Sequence, residues 1–206
     1  MENLSDKITT LQKNFYDLNS LFELSIIATQ ADSIEDLIEK VTDFITQGLN
    51  ISDVRFFINH ERVYYMVANS NNDTQEYFQF ENDDEGFWEV LNKNEFIKVS
   101  DASGKPIYRS FWEKYDLENL HSCYFKLFQK DNIPYFICSL GLKDGKYEYS
   151  QEDLRYLTKI FNYVGPILIK YIKRRDQEND LKRLQKSLHN ISILYNISQA
   201  VNFIDD

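Results

Sequence analysis

The N-terminal segment carries its apolar side chains at alternating steps of four and three residues. This heptad spacing is typical of a helix that pairs with another helix, because the polar residues between leave only a narrow apolar stripe. The sequence therefore predicts a dimerisation helix over residues 1–20, although such a stripe can also lie on the chain's own domain. The predicted dimer seam consists of Leu4, Ile8, Leu11, Phe15 and Leu18, and Phe22 continues it.

The middle of the chain alternates between short strand patterns and short helix patterns. Asp32 or Ser33 caps a second helix that ends at Gly48, and a short link over 60–62 joins the next two strands as a hairpin. An acidic, Asn-rich segment over 69–84 has turn residues and little periodicity, so we expect an irregular lid there. The predicted strands are 54–59, 63–68, 96–99, 123–128 and 135–142, and the predicted helices are 34–48, 86–91 and 107–115.

The last helix pattern begins at Ser150, whose hydroxyl is followed three residues later by an acid. This reciprocal arrangement satisfies amide donors that are otherwise unpaired at a helix start. Core-facing spacing continues to Tyr171, and Pro166 is a candidate kink. Beyond Arg175 the helix becomes charged, which predicts a connector over 174–206 that has left the core. A second predicted dimer seam runs along this connector through Leu181, Leu184, Leu188 and Ile191.

The two terminal helices resemble each other under one gapless offset of 173 positions. Leu11-Gln12-Lys13 matches Leu184-Gln185-Lys186, and Leu21, Ser25 and Asp32 match Leu194, Ser198 and Asp205. Any two heptad helices align at their apolar positions, but that does not explain the shared Leu-Gln-Lys and Asp. We interpret the end of the sequence as the start of a second copy of the module, as in a tandem array.

Composition narrows the choice of partners. The chain has 33 acidic and 23 basic residues and a formal net charge of −10, which disfavours nucleic acid and anionic membrane surfaces as partners. No apolar run approaches the length of a membrane span, and the acidic N-terminus is unlike a secretory signal, so we expect a cytoplasmic protein. Cys123 and Cys138 lie in apolar strand patterns, which favours reduced structural thiols over a disulfide.

One local motif adds to the order of elements. The motif is Leu140-Gly141-Leu142-Lys143-Asp144-Gly145-Lys146-Tyr147, followed by Tyr149-Ser150-Gln151-Glu152-Asp153-Leu154. It is similar to the last strand, the Gly-containing turn and the start of the final helix of the GAF domain, and the order of elements resembles that family too. The PAS domain is the alternative fold that comes nearest to this order of elements, but the two helices before the first hairpin and the helix after the last strand favour the GAF domain. The resemblance covers 21–173 and implies an α+β fold: a central antiparallel sheet of about five to six strands, helices on both faces and flanking coiled-coil-type helices.

The resemblance also implies a small-molecule pocket between the sheet and its two short helices. Five aromatic residues fall on those helices, and they are either pocket lining or plain core: Phe87, Trp88, Tyr108, Phe111 and Trp112. The candidate polar groups for a ligand are Asp101, Arg109, Tyr124 and Lys126. The family's cyclic-nucleotide signature is absent, and His121-Ser122-Cys123 reverses the order that bilin attachment uses. The ligand, and any cofactor, is left unknown.

No pattern in the sequence requires catalysis. His60, His121 and His189 are dispersed without metal-ligand spacing, so no metal site is predicted. Three hypotheses remain. The first is a homodimeric sensor that passes the state of a bound molecule through its helices to a covalently linked output domain. The second is a ligand-free dimerisation spacer, and the third is a thiol-based enzyme similar to the free-methionine sulfoxide reductases, which share the GAF fold.

Overall fold

The computed structural model describes residues 4–69, 78–81, 85–93, 95–118 and 120–202. Its helices are α1 (Leu4–Gln30), α2 (Ile34–Leu49), α3 (Glu85–Leu91), α4 (Arg109–Lys114) and α5 (Gln151–Asn202). Its strands are β1 (Val54–His60), β2 (Val63–Asn69), β3 (Gln79–Glu81), β4 (Ile97–Lys98), β5 (Tyr124–Lys130) and β6 (Ile133–Leu140).

The strands form one antiparallel sheet of six strands in the order β3-β2-β1-β6-β5-β4. Hairpins join β1 to β2 and β5 to β6, and each turns on two residues with positive φ. These are Glu61 and Arg62 in the first turn and Asp131 and Asn132 in the second. Such two-residue turns match the right-handed twist of the strands. The predicted α+β fold with a central antiparallel sheet is therefore confirmed.

Strand bounds differ from the sequence prediction by one or two residues at most strands, and the clearest differences are at β3 and at the second hairpin. β3 lies inside the segment predicted as an irregular lid, where it pairs with β2 and places Phe80 beside Tyr64. The remainder of that lid, 70–77 and 82–84, lies outside the described residues. The second hairpin turns at Asp131 and Asn132, so β5 extends to Lys130 and β6 begins at Ile133. Pairing with a neighbouring strand sets these bounds, so they cannot be predicted from the residues within each segment alone.

Both faces of the sheet are buried. One face carries Phe57, Phe125 and Leu127 against α3 and α4, and we call it the α3/α4 face. The opposite face carries Phe56, Phe128 and Phe136, which pack around Phe161 of α5; we call it the α5 face. Because successive residues of a strand point to opposite faces, a sheet covered on both sides requires near-continuous apolar strands. The first five residues of β1 are accordingly all buried.

Side-chain caps fix the starts of α2 and α5 as the sequence predicts. Ser33 is the N-cap of α2, and its Oγ accepts a hydrogen bond of 3.1 Å from the amide of Asp36. At α5 the amide of Asp153 donates to Ser150 Oγ at 3.1 Å, while the amide of Ser150 donates to Asp153 Oδ2 at 3.0 Å. This is the reciprocal capping box. α2 ends one residue beyond the predicted Gly48, where Asn50 adopts the left-handed conformation.

The chain divides into two compact units, residues 1–169 and 170–206. The sheet and α1 to α4 belong to the first unit, and residues 170–202 of the second are helical throughout. α5 continues through Pro166. Among the described residues, no helix combines the length and the apolar character needed to cross a membrane.

Candidate functional site

The five predicted aromatic residues come together on the α3/α4 face. Phe87, Trp88, Phe111 and Trp112 are buried in one cluster, and Tyr108 is half-buried with its ring 5.2 Å from that of Phe87. The rings of Phe87 and Phe111 stack at 4.0 Å. Short helices α3 and α4 place four of these rings against the sheet, and Tyr108 directly precedes α4. The cluster is thus closely packed around its centre.

The predicted polar groups on α4 and in the loop before it do not join this cluster. Asp101 is exposed, and its Oδ1 accepts hydrogen bonds from the amides of Ser103 and Lys105 at 2.8 and 3.0 Å. Its bond with the Ser103 hydroxyl is the main cause of a lowered pKa of the carboxyl. Arg109 is also exposed, and its Nε donates to Glu113 Oε1 at 2.6 Å. Asp101 thus holds the turn that follows it, and Arg109 pairs with Glu113 on the exposed side of α4.

Tyr124 and Lys126 lie on the opposite face of the sheet from the aromatic cluster. They alternate along β5 with Phe125 and Leu127, which do belong to that cluster, so strand geometry directs them toward the α5 face. Lys126 is 4% exposed, and its Nζ lies 5.2 Å from the centre of the Phe96 ring. Burial lowers the pKa of this ammonium. The nine predicted ligand residues are therefore divided between two faces and the surface.

Tyr64 supplies a polar group within the aromatic cluster that sequence reasoning missed. Its ring stacks on Phe80 and Trp88 at 5.2 and 5.0 Å, and the residue is 0% exposed. Among the described residues its hydroxyl has no hydrogen-bond partner, and burial raises the pKa of this phenol. The neighbouring Tyr65 is 44% exposed. Two successive tyrosines look alike in sequence, and only the strand register determines which one enters the cluster.

Cys138 lies in β6, and Cys123 directly precedes β5. Cys123 and Cys138 are both free and 0% exposed. Burial raises the pKa of the Cys123 thiol to about 12 and that of Cys138 well above its ordinary value. A thiol acts as a nucleophile in its thiolate form, so a raised pKa and a closed environment both suppress reactivity.

A cleft of about 200 Å³ lies where α1 passes the start of α5. Its walls include Leu49, an ion pair in which Lys159 Nζ donates to Asp17 Oδ2, and the Tyr156 hydroxyl, which donates to Ser20 Oγ at 2.7 Å. Burial raises the pKa of Tyr156 to about 12. We call these two polar contacts the α1–α5 clasp. They fix one face of α1 to the domain.

Metal ligands do not cluster in the part of the chain that the structure describes. No group of three or more His, Cys, Asp or Glu side chains could hold an ion among those residues.

Comparison with solved structures identifies the fold as that of the GAF domain. The A. aeolicus nlh2 GAF domain in an inactive state covers 79% of this chain and 98% of its own, at 12% identity and a TM-score of 0.57. Residues 122 to 287 of a methyl-accepting chemotaxis protein cover 72% and 96%, at 10% identity and a TM-score of 0.58. Free methionine-R-sulfoxide reductase from Neisseria meningitidis covers 79% and 91%, at 10% identity and a TM-score of 0.54.

These likenesses establish the fold alone, because the three structures are only 10 to 12% identical to this chain and include both a chemotaxis protein and a reductase. No family model matches the sequence, and no curated protein matches it. The resemblance to the GAF domain drawn from the sequence is confirmed at the level of the fold.

Proposed function

We propose that this chain is a cytoplasmic, homodimeric sensory module that binds a small molecule and passes its bound state through paired helices to an output domain. The observation that carries the proposal is the exposed apolar seam on α1. Ile8, Leu11, Phe15 and Leu18 are 48 to 68% exposed, although their heptad spacing is that of a buried helix–helix seam. The backbone of Leu4 is helical, and its side chain lies outside the described residues.

The same helix is fixed to the domain through its opposite face. Ser20 and Leu24 are buried, and the α1–α5 clasp holds that face against α5. A helix that is fixed to the domain on one side and paired with a second copy on the other would carry movement of the domain into the dimer. The connector seam supports the same arrangement, since Leu181, Leu184, Leu188 and Ile191 are 57 to 59% exposed.

The ligand part of the proposal rests on the α3/α4 face. The Tyr64 hydroxyl is buried and has no hydrogen-bond partner in the described part of the chain, which is costly, and a bound molecule with an acceptor atom would remove that cost. In this mechanism occupancy shifts α3 and α4, and the shift changes the rotation or separation of the paired helices. The chemotaxis protein of the same fold gives a precedent for a signalling role.

Native mass spectrometry of freshly purified protein tests the ligand. The intact dimer is compared with twice the chain mass of 24.6 kDa. The expected result is a dimer with excess mass that is lost on denaturation. If this excess mass is absent from the Tyr64→Phe variant, the retained molecule binds at the aromatic cluster. A bare dimer from gently lysed cells argues for the spacer hypothesis.

The seam itself is tested by a double substitution, Leu11→Glu with Leu188→Glu. Two buried charges per helix pair should convert the dimer to a monomer, measured by light scattering after size exclusion. The matched control is Gln12→Glu with Gln185→Glu, which adds the same charge beside the seam and should preserve the dimer. An unchanged mass for the leucine variants would contradict the dimer proposal.

The spacer hypothesis remains as a second candidate because one observation favours it. Rings at the centre of the aromatic cluster already contact one another, as the 4.0 Å stacking of Phe87 and Phe111 shows. A cluster filled by its own side chains needs no ligand for stability. The reductase alternative has no comparable support, since the thiols of Cys123 and Cys138 are buried with raised pKa values.

A further inference from the structure

α1 has a second face, opposite the seam, that is buried against the chain's own domain. If Leu11 and Leu18 occupy heptad positions d, Ser20 and Leu24 occupy positions f and c, which point away from the seam. These two residues are 6% and 0% exposed, and Leu21 beside them is half-buried. This face is covered by the chain's own domain.

The connector has the same second face, and there it is exposed. Under the offset of 173 positions, Ser20, Leu21 and Leu24 correspond to Ile193, Leu194 and Ile197. Ile193, Leu194 and Ile197 are 43, 66 and 54% exposed. Positions c and f of a paired helix normally carry polar residues because they face solvent. Ile193 and Ile197 take positions f and c, so pairing through the connector seam leaves their apolar side chains unexplained, and Leu194 lies beside them at position g. We call these three residues the Ile193 face.

We propose that the Ile193 face is the docking surface of a second domain of the same fold, which packs on it as the first domain packs on α1. The repeat supports this occupant, because Leu21 and Leu24 of the second face have apolar counterparts under the same gapless offset that matches the seam and Leu-Gln-Lys. The apolar positions recur on the face that the domain covers in α1, whereas a coiled coil alone would preserve only the seam.

The differences between the two helices define the chemistry of that second domain. Asp17 and Ser20 form the α1–α5 clasp with Lys159 and Tyr156. Their counterparts in the connector are Asn190 and Ile193. The docking domain therefore presents a neutral hydrogen-bonding group in place of the Lys159 ammonium and an apolar group in place of the Tyr156 hydroxyl.

This chemistry also disfavours the chain's own domain as the occupant. A second copy on this face would bury the Tyr156 hydroxyl against the Ile193 side chain and place Lys159 beside a neutral amide. Loss of a partner for a buried polar group is unfavourable. The connector thus selects a related domain and discriminates against an identical one.

The experiment joins residues 34–173 to the C-terminus of the full 206-residue chain, since Asp206 corresponds to Ser33 under the offset. One fusion keeps the native connector, and the other carries Asn190→Asp and Ile193→Ser, which restore the clasp that a copied domain needs. Amide hydrogen exchange of residues 190–197 is compared with that of the 206-residue chain carrying the same substitutions.

The restored fusion is expected to slow exchange at these amides about tenfold or more, and the native fusion to slow it less. Adding Leu194→Asp and Ile197→Asp to the restored fusion should return exchange to the level of the 206-residue chain. The proposal is overturned if the restored fusion leaves exchange unchanged or if the aspartates have no effect. Slower exchange at rising concentration in the 206-residue chain carrying Leu11→Glu with Leu188→Glu, which cannot pair through the seam, would also overturn it, because the occupant would then be a second copy. Dimer mass, measured in parallel, reports separately on the seam.

Discussion

The hydroxyl of Tyr64 allows a sharp test of the packing on the α3/α4 face. Tyr64→Phe removes a buried hydroxyl that has no partner among the described residues and keeps the ring that stacks on Phe80 and Trp88. An unsatisfied buried polar group costs about 1–3 kcal/mol, so its removal should raise the free energy of unfolding by about 1 kcal/mol. For a chain of this size that corresponds to a rise in Tm of about 2–4 °C.

The structure offers a matched control in Tyr149→Phe. Tyr149 is also buried, but its hydroxyl donates a hydrogen bond of 2.7 Å to the carbonyl of Gly141. The same chemical deletion there should lower the free energy of unfolding by about 1 kcal/mol, because the carbonyl loses its donor. Effects common to both substitutions, such as the change in the unfolded chain, cancel in the comparison.

Urea unfolding of refolded and dialysed protein measures both variants, with the midpoint and the slope fitted together. Opposite signs for Tyr64→Phe and Tyr149→Phe are the expected result. A loss of stability in Tyr64→Phe as large as that in Tyr149→Phe would refute the reasoning. It would mean that the Tyr64 hydroxyl has a partner in solution even without a retained ligand.

The capping box and the two thiols lead to the other predictions. Ser150→Ala should lower the free energy of unfolding by about 1 kcal/mol in urea, whereas Ser187→Ala in the exposed connector should change it little. Cys123 and Cys138 should react with a thiol reagent only as fast as the protein unfolds, and labelling within seconds of mixing would revive the reductase hypothesis. The pKa of Cys123 is raised from 9.0 to about 12, so above about pH 9 the folded state retains a proton that the unfolded state loses. Stability should therefore fall as the pH rises from 9 to 12, and urea midpoints should fall less steeply in Cys123→Ala with Cys138→Ala; equal slopes would contradict this.

Much of the fold could be predicted from the sequence, because its determinants are local. Heptad spacing gave α1 and the connector, and the hydroxyl and acid at Ser150 and Asp153 gave the start of α5. The antiparallel hairpins followed from apolar runs separated by short polar links. These signals depend on residues within a turn or two of one another, so they can be read along the chain.

The face of the sheet to which each strand residue points, and the pairing of the strands, could not be predicted in the same way. The sequence placed Tyr124 and Lys126 beside the aromatic cluster, but alternation along β5 directs them to the other face. β3 was missed because three residues carry no clear periodicity, and it exists through its pairing with β2. A shift of one residue in register exchanges the two faces of a strand. When a strand is apolar along its whole length because both faces are buried, its sequence does not show which residues point to which face.

The sequence by itself determined the order of all elements except β3, the starts of α2 and α5, and the heptad spacing of the two terminal helices, since these depend on spacing along the chain. Only the tertiary structure decided which side chains meet. It brought Tyr64 into the aromatic cluster, formed the α1–α5 clasp from residues more than a hundred positions apart, and covered Leu24 while leaving its counterpart Ile197 exposed. Contacts of this kind depend on sheet register and on how a helix packs against its domain, and neither is encoded in the spacing of nearby residues.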